Sequence, residues 1–366
     1  MRILITSISF CEYIIQKANA LVSKGNDVML LMPQNLVDAT VGDDISKLLD
    51  PKVSTLFYKG KRRHNRLCDL FSKKFLNKIA SFSPDVIHIH CNGEMETLLI
   101  SIRFSKIPLV VTIHDVIPHA GVDSRLPLRW KLICKYLNHR AAIIHVHGEK
   151  SKNELIQIHP SYAKKSFIIP HGTLSLFTRW DNGAVEKEPH TCLFFGRMEK
   201  YRGLDNLVEV GKILSNKLPE IKFIVAGRGS ELSQHKESLR ALGVFEIHDA
   251  FIPDKEIPIF FRRASLVLLP YHEASQSGIV HMGLAFGLPM VATAVGAIPE
   301  VIKDDIHGRI IPPGNIKEFA EAIYSLLQDR ERLSRMSNAC YERGRDLEFT
   351  NIIHQFETLY LKAINP

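Results

Sequence analysis

An α/β protein with two parallel-sheet domains is the architecture this sequence predicts, and three observations predict it. Short apolar runs alternate with helical patterns along the chain, the order that builds parallel sheets covered by helices on both faces. The length, 366 residues, exceeds one ordinary domain and suits two of about 170 residues each. Between 172 and 190 the run T-R-W-D-N-G-A-V-E-K-E-P-H is polar and lacks periodicity, so the linker belongs there. Two such domains facing one another form a cleft, with ligands beyond the carboxyl ends of the strands.

Each element has a local reason. Residues 2–6 (R-I-L-I-T) read as a first buried strand, and 12–24 carry helical periodicity that stops at Gly25. Strands follow at 27–32, 85–90 (D-V-I-H-I-H), 109–113 and 142–147, each a short β-branched run, with a last short one at 166–170. His88 and His90 read as strand residues and not as a metal site, because no third ligand has a plausible spacing. In the second half strands fall at 191–195, 221–226, 246–251, 266–270, 290–293 and 309–311. A final helical pattern over 346–363 has Ile352, Ile353, Phe356, Leu359 and Tyr360 as its apolar positions. The expected division is one domain over 1–175, a second over 176–345 and a terminal helix over 346–366.

Composition narrows the class. With 45% hydrophobic and 23% charged residues there is material for two cores, and no apolar run approaches the ~20 residues that span a bilayer. The opening M-R-I-L-I-T-S-I-S-F-C-E-Y lacks the pattern of a secretory signal. Cysteines at 11, 68, 91, 134, 192 and 340 show no C-x-x-C or metal-ligand spacing, which predicts reduced core thiols, a cytoplasmic location and no metal. Residues 1–175 carry 24 Lys and Arg against 14 Asp and Glu, the remainder 23 against 25, so the positive balance belongs to the first half. It gathers in Lys59, Lys61, Arg62, Arg63, Arg66, Lys73, Lys74 and Lys78, interleaved with Leu67, Leu70, Phe71 and Phe75. It gathers again in Arg125, Arg129, Lys131, Lys135 and Arg140, around Leu128, Trp130, Ile133 and Leu137. Either stretch alone reads better as a solvated helix packed on its own core. Two in one domain point to contact with an anionic membrane surface. Nucleic acid is not an expected partner, since zinc-finger, RNA-binding and recognition-helix patterns are missing.

Two segments carry the chemistry. In 270–300, P-Y-H-E-A-S-Q-S-G-I-V-H-M-G-L-A-F-G-L-P-M-V-A-T-A-V-G-A-I-P-E, a strand ends at Pro270 and a polar turn with Ser275, Ser277 and Gly278 leads into an apolar helix from about Ile279. Such a turn points backbone N–H groups and hydroxyls at one spot, which is how phosphate oxygens are held without a metal. An ordinary strand-to-helix connection would read the same, and a second segment decides. In C-L-F-F-G-R-M-E-K-Y-R-G-L-D-N-L at 192–207 a strand stops at Gly196, and Arg197 and Arg202 stand in the turn before Gly203. Two guanidiniums in one loop can converge on a diphosphate.

In order and spacing G-R-M-E-K-Y-R-G-L-D-N-L, I-V-A-G-R-G-S, L-V-L-L-P-Y, F-G-L-P-M-V-A-T and G-A-I-P-E-V-I resemble the C-terminal half of the retaining glycosyltransferases of family 4, over residues 192–311. Weaker similarity spans nearly the whole chain. The resemblance implies the GT-B fold: two Rossmann-like domains across a cleft, with the terminal helix crossing back onto the first. It implies a nucleotide-diphosphate sugar as donor, no metal ion, and a glycan or lipid-linked acceptor of envelope or exopolysaccharide synthesis; the basic face of the first domain would hold the protein at the inner face of the plasma membrane, where lipid-linked acceptors sit. It gives Arg197 and Arg202 the pyrophosphate, Arg202 standing where relatives usually have lysine. Gly196, Gly227 and Arg228 fall near the nucleotide, and Ser275, Ser277, Gly278 and Ile279 hold phosphate. Glu273 touches the sugar's hydroxyls, and His114 of V-T-I-H-D meets the sugar near the reacting carbon. Without the resemblance His114 reads as satisfied by Asp115, and Glu273 as a surface acid. His171 and Gly172 (I-P-H-G) match a turn that lines the cleft.

Two departures qualify the match. The family's second glutamate, eight residues past the first, is His281 here, or Met282 if the alignment is anchored on Gly287 and Pro289. Ribose then falls to Glu300 or a backbone group. The Gly-Gly turn after the first strand is replaced by T-S-I-S-F-C-E-Y, which leaves that loop's acceptor contacts open. The expected activity is metal-independent, retaining hexosyl transfer. Two alternatives keep the fold: a sugar-nucleotide epimerase or hydrolase, and a degenerate binding or scaffold subunit. The departures favour the scaffold; the retained Arg197, Arg202, Glu273 and His114 oppose it.

Overall fold

A computed structural model describes residues 1–59, 73–90, 93–117 and 127–365. Outside them lie Lys61, Arg62, Arg63, Arg66, Leu67, Leu70, Phe71 and Arg125 of the basic stretches, together with Cys68, Cys91 and the side chain of Lys74. The chain forms two parallel α/β units. One draws on the chain as far as Val116, on the stretch ending at Gly172 and on the chain from Phe349; the other is Thr173–Glu348.

In the first unit β1 (Arg2–Thr6), β2 (Asp27–Pro33), β3 (Ser54–Tyr58), β4 (Val86–His90), β5 (Leu109–Thr112), β6 (Ile143–Val146) and β7 (Ser166–Ile168) form one sheet. Their order is β3-β2-β1-β4-β5-β6-β7. The central strands are buried on both faces, and Leu4, Ile87, Ile89, Val111, Ile144 and Val146 join one core. β3 was not among the expected strands. It lies at the sheet edge with Ser54 and Thr55 exposed, so it lacks the continuous apolar run of a central strand. The first helix, Cys11–Ser23, buries Tyr13, Ile14, Lys17 and Leu21. The C-terminal helix, Phe349–Ile364, belongs to the same unit and buries Phe349, Ile352, Ile353, Phe356, Leu359 and Tyr360.

In the second unit β8 (Thr191–Phe195), β9 (Lys222–Gly227), β10 (Phe245–Asp249), β11 (Leu266–Leu269), β12 (Met290–Thr293) and β13 (Gly308–Ile311) run in the order β10-β9-β8-β11-β12-β13. The linker expected over 172–190 is not plain coil. It holds a 3-10 helix, Ser175–Trp180, anchored by buried Leu176 and Phe177. The cysteine expectation also needs one correction: Cys11, Cys192 and Cys340 are buried free thiols, but Cys134 is only half-buried. Both sheets reverse strand order once, between β1 and β4 and between β8 and β11. Loops leaving the carboxyl ends at such a reversal diverge and open a crevice, the general ligand position in parallel α/β sheets.

Candidate functional site

At the β8–β11 reversal the loops are held by main-chain contacts. β8 ends at Phe195, and the turn enters a 3-10 helix, Lys200–Arg202, that stops at Gly203. Gly203 has φ +71°, and a Cβ there would lie 2.0 Å from Pro270 O, so only glycine lets the two loops meet. The β8 and β9 turns are joined: the Gly196 N–H donates to Ala226 O and the Met198 N–H to Arg228 O, both at 2.9 Å. A Cβ on Gly227 would collide with Gly196 O at 1.8 Å. From the β11 side the His272 N–H donates to Tyr201 O at 2.8 Å, and Thr293 Oγ1 to Tyr271 O at 2.7 Å. The Ala297 N–H donates to Ser275 O at 3.0 Å, which ties the short helix carrying Glu300 to the same loop. Thus Gly227 ends β9, and Gly196, Arg197, Arg202, Arg228, Glu273, Ser275, Ser277, Gly278, Ile279 and Glu300 follow the carboxyl ends of β8, β9, β11 and β12. His114 belongs to the first unit.

The two arginines converge, by a means the spacing did not reveal. Arg202 donates to Tyr271 Oη at 2.9 Å, Phe195 O at 3.1 Å and Tyr201 Oη at 3.3 Å. Its guanidinium also lies over both tyrosine rings. Burial opposes its charge, but Tyr271 and Tyr201 outweigh that and raise its pKa. Tyr201 Oη also accepts from exposed Arg197 at 3.4 Å, so both guanidiniums meet at one phenol oxygen. Sequence reasoning missed Tyr201 and Tyr271; the aromatic in K-Y-R and in L-P-Y was the available signal. The helix Gly278–Ala285 starts at Ser277, whose buried hydroxyl makes no cap to the helix and lies beside the Tyr271 phenol. The first N–H groups of that helix have no intrahelical acceptor. A hydroxyl, main-chain donors and the positive helix end therefore share a rim with two arginines, which suits an anion. Glu273 and Glu300 are exposed on that rim, whereas His281 and Met282 are buried within the helix.

In the first unit His114, two residues past β5, is held by histidines. His90 Nδ1 lies 2.9 Å from His114 Nε2, and His147 Nε2 lies 3.1 Å from His114 Nδ1. The Phe10 ring packs 4.2 Å from the His114 ring. Burial is the main cause holding the His114 imidazole down at about 3, with His171 and Lys17 adding and Asp115 opposing. One layer deeper the proton positions follow from a carbonyl. His145 Nε2 donates to Ile169 O at 3.0 Å, so its Nδ1 accepts from Thr112 Oγ1 at 2.8 Å. Thr112 Oγ1 then accepts from His88 Nε2 at 2.7 Å, and His88 Nδ1 accepts from Lys17 Nζ at 2.9 Å or Tyr360 Oη at 2.8 Å. Lys17 is fully buried 3.9 Å above the Phe356 ring, and burial holds its amine well below its ordinary value. His171 is buried beside Tyr13 and His147. Among the described residues no group of His, Cys, Asp or Glu has the geometry to hold a metal ion.

Residues 178–343 match the family described as Glycosyl transferases group 1, and residues 12–173 match Glycosyltransferase Family 4. The chain is 24% identical over 306 residues to a D-inositol 3-phosphate glycosyltransferase of Corynebacterium aurimucosum, covering 77% of this chain and 72% of the other. It is 25% identical over 293 residues to sulfoquinovosyl transferase SQD2 of Arabidopsis thaliana, covering 74% and 55%. Sucrose-phosphate synthase from Thermosynechococcus elongatus has a similar structure, with TM-score 0.75 and 15% identity over 100% of this chain and 99% of that one. Anabaena Alr3699/HepE in complex with UDP-glucose gives 0.69 and 17%, covering 98% and 99%. At such identities the structures speak to the fold, and the fold agrees.

Proposed function

The chain belongs to the family 4 glycosyltransferases of the GT-B fold, and we propose that it moves a sugar, with retention and without a metal ion, from a nucleotide-diphosphate sugar to a glycan or lipid-linked acceptor of envelope or exopolysaccharide synthesis. The observation that carries the donor reading is the meeting of Arg197 and Arg202 at Tyr201 on the rim that also presents Ser277 and the start of its helix. The UDP-glucose complex of the Anabaena protein supports the donor class. Negative charge grows on the diphosphate as the glycosidic bond breaks, and cations fixed in advance stabilise that state more than the ground state. Arg202, locked by two tyrosines, sets the position; exposed Arg197 reaches the oxygens. The leaving phosphate takes the acceptor hydroxyl's proton on the same face, which gives retention. Glu273 meets the sugar's hydroxyls, Glu300 the ribose, and Gly196, Gly227 and Arg228 flank the nucleotide. His114 is the polar contact assigned to the sugar in the first unit. Peripheral membrane contact draws support from the helix Leu128–Arg140, where Leu128, Leu132 and Tyr136 are exposed beside Arg129, Lys131 and Lys135.

The test is thermal melting against nucleoside diphosphates and sugar nucleotides. A donor at a hundred times its Kd stabilises by ~2.7 kcal/mol, enough to name it. Arg197→Ala should lose that shift and the transfer while melting like the parent without ligand, since Arg197 is exposed. An undiminished shift in the variant would remove Arg197 from the site. A shift without transfer to any acceptor would favour the binding or scaffold reading.

A further inference from the structure

We infer that Phe10 is the stacking platform for the acceptor, and that the acceptor presents a pyranose ring there rather than an open-chain polyol or a bare phosphate. The inference rests on the transferase reading above and deepens it. Phe10 precedes the first helix with φ 59° and ψ 47°, the left-handed region that glycine enters without strain and phenylalanine does not. The loop holding it is built: Ser7 Oγ donates to Ser9 O, and the Ser9 N–H donates back to Ser7 Oγ at 3.3 Å. Strain that survives in an ordered loop calls for a function that the surroundings sustain. The side chain does not earn its place by burial either, since Phe10 is 40% exposed.

What Phe10 does touch is His114, ring to ring at 4.2 Å and 32°, with Tyr13 edge-on behind His114 at 5.8 Å. The stack stands over the β1–β4 reversal, with His90 at the end of β4 beneath it. A flat aromatic surface beside a neutral imidazole, at the crevice where parallel sheets bind ligands, suits a ring with one apolar C–H face and hydroxyls at its edge. An anion gains nothing from the negative face of phenylalanine, and a linear polyol has no face to stack.

Saturation-transfer NMR on the full chain tests this with methyl glucoside, mannoside, galactoside and N-acetylglucosaminide as probes, and glycerol and erythritol as open-chain controls. At least one pyranoside should bind the parent and Phe10→Trp, bind Phe10→Gly and Phe10→Ala about fivefold more weakly, and outcompete the polyols. Phe10→Gly should melt no lower than Phe10→Ala, because glycine relieves the left-handed strain; the loss is then one of surface and not of folding. Undiminished pyranoside binding to Phe10→Gly, no pyranoside binding to the parent, or equal binding of glycerol would overturn the inference. The sugar-nucleotide melting shift reports on the transferase reading separately. If that shift is absent while Phe10-dependent pyranoside binding persists, the transferase reading falls and the platform stands.

Discussion

Neither nitrogen of His114 is idle, and that shapes what it can do. Two ring-to-ring contacts link three imidazoles, and each contact holds one proton. Burial keeps His90 and His114 neutral, so His114 donates through one nitrogen and accepts through the other, and both are engaged. A sugar hydroxyl that bonds to His114 must displace a partner, so His90 acts as a positioning residue. His90→Leu would leave His114 Nε2 buried and unpaired, which should destabilise by about 1–3 kcal/mol, whereas His90→Gln can refill the bond and should cost less. Urea unfolding of the two variants checks the order, and nitrogen-15 histidine spectra should show His114 losing its single tautomer only in His90→Leu. Equal losses would mean that the contact contributes only packing. Of this arrangement the sequence showed that His88 and His90 share one face, by alternation. That Thr112 lies level with both His90 and His145 is a matter of strand register, which no single strand encodes. Arg202 teaches the same lesson: its spacing from Arg197 was readable, but its tyrosine cage joins residues from separate strand ends.

At the scale of elements, legibility followed burial. Strands packed on both faces announce themselves as apolar runs, so β1, β4, β8 and β12 lie where expected to within a residue or so, while the half-exposed edge strand β3 did not. The basic helix Leu128–Arg140 shows the limit of a one-stripe reading. Leu128, Trp130, Ile133 and Leu137 were expected to share an apolar stripe, but only Ile133 and Leu137 are buried. Leu128 is 72% exposed and lines up instead with Leu132 and Tyr136, one turn apart, on an outward face flanked by Arg129, Lys131 and Lys135. A helix whose inner face is already satisfied needs no second apolar row for folding. The row fits insertion among anionic headgroups. Leu128→Ser with Leu132→Ser should therefore cut co-flotation with phosphatidylglycerol vesicles severalfold, and should leave the melting temperature nearly unchanged because both positions are exposed. Unaltered flotation would detach this helix from the membrane reading.

Across the whole molecule the two units differ in how they hold buried charge, and acid should separate them. In the first unit burial keeps His88, His90, His114, His145 and His171 below the ordinary histidine range, His171 at about 4. These rings are neutral when folded and protonated when unfolded, so their contribution is complete above pH ~6.5 and is lost as pH falls toward the folded values. Each such ring steepens the loss by up to ~1.4 kcal/mol per pH unit. The second unit relies instead on Glu188 and Glu246 against Arg263, whose carboxyls are held low chiefly by hydrogen bonds from that arginine. Their contribution persists above the ordinary carboxylate value and fades only below about pH 4. Among its histidines His281 and His307 are buried, and burial holds His307 below its ordinary value. Between pH 6.5 and 4.5 the first unit, with more buried imidazoles, should therefore weaken more than the second. The two tryptophans report on this separately, Trp130 from the first unit and Trp180 from the second. In single-tryptophan variants, Trp180→Phe and Trp130→Phe, the Trp130 signal should collapse at a higher pH than the Trp180 signal. Lys17 adds a signature of opposite reach. Burial holds its amine well below its ordinary value in the fold but not in the unfolded chain, so it costs stability below ~10.5 and the cost shrinks as pH rises toward that value. Lys17→Met should stabilise the Trp130 transition at pH 7 by on the order of 1 kcal/mol, read as a higher urea midpoint, and flatten its rise toward pH 10. Coincident transitions at all pH values, with no effect of Lys17→Met, would show that the two units unfold as one and that the buried bases remain protonated in the fold.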